Sequence, residues 1–466
     1  MGETYSLIGS DIRVKNPSSE LITYCKANLV LSNPDYAKKV RMSLWTGNTP
    51  EKIHLYERSG EWLVLPYGCL RDVWEMIRGG EIENRFTPPK RLDYKASVPL
   101  YDYQQKAVDE MYKARGGILQ APAGSGKTQI GIALIARLGV KALWLTHTHD
   151  LLNQSKERAE QYMSADLLGT ITEGKVSIGR GITFATVQTM ANIDLLKYKN
   201  EWDCVVVDEC HRVAGSPTTV TMFSKVLGNL AARYKFGLSA TVHRADGMIK
   251  ATYALVGRVM YTVPKEEVAD RIMQVGIQPI RTGVGISREC LNSDGTLQYA
   301  RMVNYLCGNP VRNQVILQQL RNNKQYSSLI LSDRLDHLRG LLNALPPEMR
   351  KDAAMIDGKM TTKKGKAERE QAIEDMRSGA KKYLFATYNL CKEGLDIPRL
   401  ERLYLTTPQK DYAVVTQSIG RIARTFNGKA DPVALDFIDD AGYLVKAYKK
   451  RCTTYRKNGC YFLEDL

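Results

Sequence analysis

The chain has 466 residues, 44% of them hydrophobic, and its 66 basic and 50 acidic residues give a net charge of +16 at pH 7. A chain of this length is expected to form about three domains with ordinary apolar cores. No apolar run approaches the ~20 residues of a membrane span, so the composition disfavours a membrane protein. The nine cysteines are odd in number and contain no CxxC pair, which disfavours a disulfide framework and a zinc ribbon. The first 30 residues lack the basic-then-apolar order of a secretory signal, so we expect the protein to act in the cytoplasm.

The positive charge is concentrated after residue 95. Residues 1–95 contain 14 basic and 12 acidic residues, whereas the rest of the chain contains 52 and 38, a net charge of +14. A basic surplus of this size favours a polyanionic partner such as a nucleic acid.

Residues 1–95 are predicted to form a small β-containing accessory domain. The strand-like runs KIHLYE and EWLVLP are separated by RSG, which is typical of a turn between strands. Trp45, Trp62 and Trp74, three of the five tryptophans, lie in this region, and we expect them to build its core. The stretch FTPPK, which ends at Lys90, is the predicted linker.

From residue 96 onwards, short apolar runs alternate with helical segments, a pattern typical of βα units in a parallel sheet. The runs fall into two groups and predict two α/β domains in tandem, over residues 96–290 and 291–466. Residues 265–325 are irregular around Pro279 and then helix-like, so we expect them to connect the two domains, with the connector leading into the second. The predicted strands are GGILQA, VKALWLT, ITFAT, DCVVVD and KFGLSAT in the first domain, and SSLILSD, KKYLFAT, ERLYLTT and PVALDFI in the second.

The stretch APAGSGKT, residues 121–128, has the pattern of a phosphate-binding loop between a strand and a helix. Gly124 and Gly126 permit a tight backbone turn whose N–H groups point at phosphate oxygens, Lys127 reaches the terminal phosphates, and the Thr128 hydroxyl coordinates magnesium. We therefore predict ATP and Mg²⁺ as cofactors. The predicted binding residues are Ala123, Gly124, Ser125, Gly126, Lys127 and Thr128.

The stretch WDCVVVDECHR predicts a buried strand that ends at two carboxylates. Asp208 is placed to hold the magnesium ion, and Glu209 to orient or deprotonate the attacking water. His211 could bind zinc with Cys204 or Cys210, but no second metal-spaced pair exists, so we interpret it as a relay to the next strand. That strand ends at Ser239 and Thr241, which could link the nucleotide site to a substrate surface.

The stretch QSIGRIAR contains Arg421 and Arg424 without an acidic residue to pair with them. Such guanidinium groups are either solvated or are partners of an anion from elsewhere in the molecule. The phosphate-binding loop suggests that the anion is a nucleotide phosphate.

The segments APAGSGKT, DECH, SAT, YNLCKEGLDIP and QSIGRIAR occur in the order and spacing of the superfamily 2 helicases. GLSATVHRADG resembles the XPB-like and phage UvsW-like branch, and the resemblance covers about residues 96–440. It implies that each of two RecA-like domains supplies half of one ATP site, with Arg421 and Arg424 as arginine fingers for the γ-phosphate.

The resemblance implies roles for further residues. YDYQQ is similar to an adenine-reading segment and places Gln104 on the base, while Gly394 and Asp396 are expected near the ribose and Gln417 in the cleft. THTHDLLNQ and TVQTM resemble segments that hold nucleic-acid phosphates. Their polar candidates are Thr146, Gln154, Thr186 and Gln188.

The segment YLVKAYKKRCTTYRK, residues 443–457, has six basic residues, no acidic residue and three interleaved tyrosines, Tyr443, Tyr448 and Tyr455. Phosphate contact with some base stacking explains it, and so does a solvated helix face with its tyrosines in the core.

The resemblance implies an ATP-dependent DNA helicase or translocase of replication, recombination or repair that unwinds or branch-migrates forked and four-way DNA. Its N-terminal region resembles the accessory domain of phage recombination helicases. The expected partner is branched, forked or single-stranded DNA, bound by a monomer and without a membrane. Two alternatives stay open: an RNA helicase, which would share every ATP-site residue, and an ATP-dependent sensor that binds duplexes without separating strands. A small-molecule P-loop kinase is disfavoured by the second domain and its arginines.

Overall fold

The computed structural model describes residues 4–94, 96–172, 174–242, 247–358, 360, 362–392 and 395–464, except for the side chains of residues 269–271, 363 and 392. The chain divides into two compact units, Met1–Glu267 and Val268–Leu466. Within the described ranges, no helix is both long enough and apolar enough to cross a membrane.

A small mixed sheet forms the N-terminal region of the first unit. In chain order, its elements are β1 (Tyr5–Ile8), β2 (Asp11–Lys15), α1 (Ser19–Asn28), β3 (Val30–Ser32), α2 (Pro34–Arg41), β4 (Lys52–His54), β5 (Glu57–Ser59), β6 (Trp62–Pro66), α3 (Leu70–Ile77) and β7 (Glu81–Asn84). The sheet has the strand order β5-β6-β2-β1-β7, and β3 and β4 pair separately as an antiparallel ribbon. Alternate residues of β2 and β6, such as Ile12 and Leu63, point into its core. The predicted β-containing region is therefore confirmed.

The prediction that tryptophans build this core is wrong. Trp45 lies in the loop between α2 and β4, outside the sheet, and is 86% exposed. Trp74 is 40% exposed, because α3 buries the face that carries Val73 and Ile77 and a helix turns each successive residue by about 100°. The core is aliphatic instead, and the exposed Trp45 has no role in folding it.

The first α/β domain is an eight-stranded sheet with helices packed on it. Its elements are α4 (Asp102–Ala114), β8 (Gly117–Gln120), α5 (Lys127–Leu138), β9 (Ala142–Thr146), α6 (His149–Glu160), β10 (Leu168–Thr172), β11 (Lys175–Ser177), β12 (Ile182–Thr186), α7 (Val187–Ala191), β13 (Cys204–Val207), α8 (Pro217–Asn229), β14 (Tyr234–Ser239), α9 (Ile249–Val256) and β15 (Val259–Thr262). The strand order is β11-β10-β12-β9-β13-β14-β8-β15, and every strand except β11 is parallel to its neighbours. The inner strands are buried along their whole length, as expected for a sheet covered on both faces.

The N-terminal region packs closely on this first α/β domain. A Cβ atom at Gly68 would lie 2.5 Å from the backbone oxygen of Ala254 on α9, so only glycine allows the two backbones to approach this far. Arg258 forms an ion pair of 2.6 Å with Asp72 on α3. The accessory region and the first α/β domain accordingly belong to one compact unit.

The second unit is built around a seven-stranded parallel sheet. Its elements are β16 (Gly276–Arg281), α10 (Tyr299–Gly308), α11 (Pro310–Asn322), β17 (Ser328–Ser332), α12 (Leu335–Asn343), α13 (Pro347–Arg350), β18 (Ala353–Met355), α14 (Lys363–Ser378), β19 (Tyr383–Thr387), α15 (Tyr388–Lys392), β20 (Arg402–Leu405), α16 (Tyr412–Ile422), β21 (Val433–Ile438), α17 (Gly442–Lys457) and β22 (Tyr461–Phe462). The strand order is β18-β19-β17-β20-β21-β16-β22, and all of its pairings are parallel. The prediction of two parallel-sheet α/β domains in tandem is confirmed.

Strand β16 differs from the irregular connector that the sequence predicted around Pro279. It pairs with β21 along its whole length, whereas β22 covers only Gly276 and Ile277. Proline has no N–H to donate, so it is tolerated where a sheet position has no partner strand beside it. Pro279 meets that condition because β22 has already ended.

Candidate functional site

The loop between β8 and α5 has the backbone conformation that a phosphate-binding nest requires. Gly124 and Gly126 have φ angles of 85° and 76°, in the left-handed region that favours glycine. Gly126 is the residue from which α5 starts, and Lys127 and Thr128 form the first turn of that helix. The loop N–H groups and the helix N-terminus therefore present donors to an anion.

Two side chains of α4 hold this loop. The Gln104 carboxamide donates from Nε2 to the Ser125 backbone oxygen at 2.9 Å, and its Oε1 accepts from the Tyr101 N–H at 3.0 Å. The Tyr103 hydroxyl donates to the same Ser125 oxygen at 3.0 Å. A Cβ atom at Gly126 would collide with the Gln104 carboxamide, so loop and helix fit closely. A carboxamide has two N–H donors and two acceptor lone pairs, and the bonds to Ser125 and Tyr101 use one of each. The second N–H and the second lone pair could bind an adenine base.

The two predicted carboxylates lie beyond the end of β13. Asp208 is 6% exposed, and its oxygens accept from the Ser155 hydroxyl at 3.3 Å and from the Glu209 N–H at 2.9 Å. The Glu209 carboxylate lies 3.9 Å from Lys127 Nζ. Glu209 itself has a φ of 46°, a left-handed conformation that is strained for a residue with a side chain. The arrangement brings two carboxylates next to the lysine of the loop.

The two carboxylates differ in their affinity for a proton. Burial, together with the Glu209 carboxylate, raises the pKa of Asp208 above its ordinary value. Burial also acts to raise the pKa of Glu209, but Lys127 and His211 outweigh it and hold that pKa below its ordinary value. A buried carboxylate such as Asp208 is stabilised by a cation, and its oxygens are the ligand type that Mg²⁺ prefers. The Asp208 carboxylate therefore fits a magnesium ion, and the Thr128 hydroxyl in the first turn of α5 is a further oxygen of the type that this ion accepts.

A series of close polar contacts joins Glu209 to the end of β14. His211 Nδ1 lies 3.3 Å from Glu209 Oε2 and 3.0 Å from the Ser239 hydroxyl, which donates to the Thr241 backbone oxygen at 2.6 Å. These contacts fit the relay interpretation of His211, Ser239 and Thr241. Burial raises the pKa of the Cys204 and Cys210 thiols. Among the residues that the structure describes, no group of three His, Cys, Asp or Glu side chains is placed to hold a zinc ion.

In the second unit, Arg421 and Arg424 interact with residues far upstream. Arg421 donates from Nε to the Cys391 oxygen and from Nη1 to the Leu395 oxygen, both at 3.0 Å. Arg424 forms an ion pair with Asp396, so its carboxylate partner lies 28 residues away and not in its own stretch. Gln417 lies half-buried on α16, one turn before Arg421, and Gly394 lies outside the described residues.

Lys429 organises the same segment, and the sequence did not point to it. Its Nζ donates to the backbone oxygens of Pro398 at 3.0 Å, Ile422 at 2.7 Å and Arg424 at 2.7 Å. Burial lowers its pKa to about 8. The carbonyl groups at the end of a helix need donors from elsewhere, and a lysine just after a helix is the sequence signal that could have identified it.

The four predicted nucleic-acid residues lie at or beyond the carboxyl edge of the first sheet. Thr146 and Thr186 face each other in the β9–β12 register, and both are buried. The Thr146 hydroxyl donates to Thr148, and Thr186 caps α7. The Gln188 carboxamide meets His147, and Gln154 is half-buried on α6. A direct contact with phosphates remains a prediction for all four.

The basic segment 443–457 separates into a core side and a solvent side of α17. Arg451 is 3% exposed and forms two bonds of 2.8 and 2.7 Å with Asp436, and the buried Tyr455 hydroxyl donates to the same carboxylate. For these two residues the core interpretation holds. The exposed side carries only basic charge, and none of its members pairs with a carboxylate within the described part of the chain. They are Lys446, Lys449, Lys450, Arg456 and Lys457.

Two family models match this chain and together cover more than half of it. "Type III restriction enzyme, res subunit" matches residues 97–244, and "Helicase conserved C-terminal domain" matches residues 311–426. The "Probable helicase D10" of Escherichia phage T5 is 26% identical over 345 residues, which are 73% of this chain and 72% of that protein. The "DNA 3'-5' translocase XPB2" of Sulfurisphaera tokodaii is 31% identical over 204 residues, 43% of this chain and 45% of that one.

Two solved structures align with this chain, and the first of them resembles its fold. S. cerevisiae Dbp5 bound to RNA and ADP BeF3 aligns with 86% of this chain and 94% of that chain, with 18% identity and a TM-score of 0.56. T4 UvsW aligns with 99% of each chain at 17% identity and a TM-score of 0.42.

Proposed function

We propose that this chain, which belongs to the superfamily 2 helicases and is related to the XPB-type and viral enzymes, is a DNA motor that unwinds or branch-migrates forked and four-way DNA. As a member of this superfamily, the chain is an ATP-hydrolysing nucleic-acid helicase. Our proposal concerns its substrate, which we infer to be DNA and, in particular, branched DNA. The contacts of Lys127, Glu209 and His211 support the motor part of the proposal, because they link phosphate binding to the end of β14.

In the first unit we assign the steps of hydrolysis to the loop and the two carboxylates. Lys127 binds the terminal phosphates. Glu209, whose pKa is held low, is ionised at neutral pH and orients the attacking water or accepts its proton. Asp208 and Thr128 would hold the magnesium ion, which neutralises charge that develops on the phosphates.

In the second unit we assign Arg421 and Arg424 to the γ-phosphate as arginine fingers. Their bonds to the backbone of Cys391 and Leu395 and to Asp396 fix the guanidinium groups on one segment of chain. Charge that grows on a phosphate during transfer is best stabilised by groups already held in place. Hydrolysis then changes the grip on the nucleic acid and moves the motor along it.

The preference for DNA is supported by the similarity to XPB2, which is named as a DNA translocase, and by the net charge of +14 after residue 95. An RNA helicase is the second candidate, because RNA and DNA present the same phosphate backbone to a sequence-independent grip. The name of one relative supports that candidate: the "Putative ATP-dependent RNA helicase L396" of Acanthamoeba polyphaga mimivirus is 24% identical over 419 residues, 87% of this chain and 77% of that protein.

The test measures the ATP hydrolysis rate with single-stranded, duplex, forked and four-way DNA and with RNA of matched sequence. We expect DNA to stimulate the rate, branched DNA to stimulate it most, and Lys127→Ala to remove the stimulated rate. Stimulation by RNA alone would replace the proposal with the RNA helicase. Strong duplex stimulation without strand separation would favour a sensor.

A further inference from the structure

An exposed apolar tip projects from the N-terminal region and runs from the last turn of α2 into the loop before β4. It consists of Val40, Met42, Leu44 and Trp45, whose exposed fractions are 52, 58, 53 and 86%. Tryptophan is highly buried on average, and soluble chains rarely leave several large apolar side chains exposed together unless they contact a partner. The tip is therefore a candidate contact surface.

The backbone holds the tip in one conformation. Ser43 has a φ of 51°, and the N–H groups of Ser43 and Leu44 donate to the oxygens of Val40 at 3.0 Å and Lys39 at 2.9 Å. This is the Schellman ending of a helix, which usually has glycine in the left-handed position. A serine there is strained, so the turn that points Leu44 away from the helix is maintained at an energetic cost.

Trp45 is also fixed in place. A Cβ atom at Gly47 would lie 2.6, 2.8 and 2.9 Å from three ring carbons of Trp45, so the indole lies directly against the Gly47 backbone. Lys39 Nζ donates to the Thr49 hydroxyl at 2.6 Å and ties the far end of the loop to α2. One face of the indole is thus supported while most of its surface remains in solvent.

The base of the tip is anchored on the motor. Leu31 of β3 packs in one cluster with Ala214, Val220, Met248 and Ala251 of the first α/β domain. Ala214 ends the short helix that follows Asp208 and Glu209, and Met248 and Ala251 lie at the start of α9, after β14. The tip is therefore connected to the two segments that carry the carboxylates and the relay.

The charge around the tip indicates the partner. Residues 36–50 contain Lys38, Lys39 and Arg41 but no acidic residue. Basic side chains beside a rigid apolar or aromatic wedge match nucleic acid, which offers phosphates next to the faces of unpaired bases. A purely apolar protein surface would not pair with the basic side chains, and an acidic protein surface would not pair with the apolar side chains.

We propose that the tip is a base-contacting wedge, in which Trp45 stacks on a base where duplex becomes single strand, Leu44 packs against the neighbouring base, and Lys38 and Arg41 hold the adjoining phosphates. The inference rests on the proposed function as a nucleic-acid motor. Translocation by the motor would then press the duplex against the tip, which separates the strands.

The test uses the full chain with Trp45→Ala and the matched control Leu196→Ala. Leu196 is 72% exposed on the first α/β domain and belongs neither to the tip nor to the ATP site. We expect Trp45→Ala to reduce the number of base pairs unwound per ATP hydrolysed on a forked DNA by about tenfold, as expected for the loss of a stacked base, and Leu196→Ala to leave it unchanged. Fork unwinding by Trp45→Ala at the wild-type yield per ATP, with an unchanged melting temperature, would overturn the wedge.

A second measurement separates this inference from the proposed function. The difference in fluorescence between wild type and Trp45→Phe isolates Trp45 from the other tryptophans, and we expect forked DNA to quench it without ATP. Quenching by anionic lipid vesicles and not by DNA would overturn the inference. If no nucleic acid stimulates ATP hydrolysis by the wild-type chain, the proposed function as a motor is contradicted. The quenching measurement still shows, independently of that result, whether Trp45 contacts nucleic acid.

Discussion

Glu209 faces both functions assigned to the first unit, because its two carboxylate oxygens lie toward Lys127 and toward His211. Its strained backbone turns the side chain into that position, and strain of this kind is found where function requires it. At the scale of single residues, nucleotide binding and the relay thus meet at one side chain.

The two units are expected to respond differently to loss of their key residues. Lys127→Ala should weaken nucleotide binding itself, whereas Arg421→Ala should change the nucleotide Kd by only a few-fold and reduce kcat by about 10³-fold, as for other arginine fingers. Arg421 also holds the backbone of Cys391 and Leu395, so Arg421→Lys serves as the control that keeps the charge. Near-normal turnover by Arg421→Ala would contradict the assignment.

The sequence predicted roles for Lys127, Asp208 and Ser239 because each lies at the end of a buried apolar strand or in the loop that follows one. It missed Ser155 and Lys429. The Ser155 hydroxyl donates to Asp208, which is 53 residues away in the chain, and Lys429 donates to Pro398, which is 31 residues away. A local sequence pattern does not show which distant segments the fold brings together. For the same reason it did not find the Asp396 partner of Arg424.

Lys429 provides a test of how the arginines are held. Lys429→Met removes three bonds to the segment of Arg421 and Arg424, and a small misplacement of catalytic groups can reduce kcat by about 10²-fold. We expect a lower melting temperature and a lower kcat with little change in nucleotide Kd. Lys366→Met, at an exposed lysine of α14, is the control. Loss of stability with an unchanged kcat would show that Lys429 supports the fold alone.

Lys235 predicts a pH dependence of stability. Burial lowers its pKa from the ordinary 10.5 to about 7, although Nζ donates to Ser10 and Leu227 oxygens. Below pH 7 the amine is charged in both states and the cost of burying it is fully present. Between pH 7 and 10.5 the folded chain binds fewer protons than the unfolded chain, so the free energy of unfolding should rise with pH. Chemical denaturation should show this rise in the wild type but not in Lys235→Met, and equal slopes would refute it.

At the scale of elements, α17 shows what a sequence pattern could not decide. The spacing of its basic residues fitted both alternatives, and only the packing against Asp436 shows that Arg451 and Tyr455 belong to the core. Five like charges remain on one side without acidic neighbours on the helix, an arrangement that destabilises a helix slightly and favours an external anion. Strand β16 was missed for a similar reason, since Pro279 is compatible with a strand only at a half-covered position.

Charge reversal on α17 tests whether this face meets phosphates. Lys449→Glu with Lys450→Glu should reduce the slope of log affinity against log salt by about one for each phosphate that the helix no longer neutralises. Lys364→Glu with Lys366→Glu on α14, where Lys364 already lies near Glu368, is the matched control. Equal slopes in the two double variants would mean that the α17 face is only solvated.

At the scale of the whole molecule, the accessory region belongs to the motor and is not an appendage. Tyr67 and Gly68 lie against Arg233 and Ala254, so a truncation at residue 90 would uncover part of the first α/β domain. Two tandem α/β domains with an accessory region were predictable, because periodic strands and loop motifs are local signals. The close packing of the accessory region was not predictable, since it depends on surfaces that only the folded chain presents.

Whether this protein is a DNA motor is decided by ATP-driven strand separation of a four-way DNA junction by the full chain, with Lys127→Ala as the control and a junction of RNA in parallel. We expect the wild type to convert the DNA junction to duplex products only with hydrolysable ATP, Lys127→Ala to leave it intact, and the RNA junction to be processed poorly. A wild-type chain that hydrolyses ATP on the DNA junction and leaves its strands in place, or that separates only RNA, would contradict the proposal.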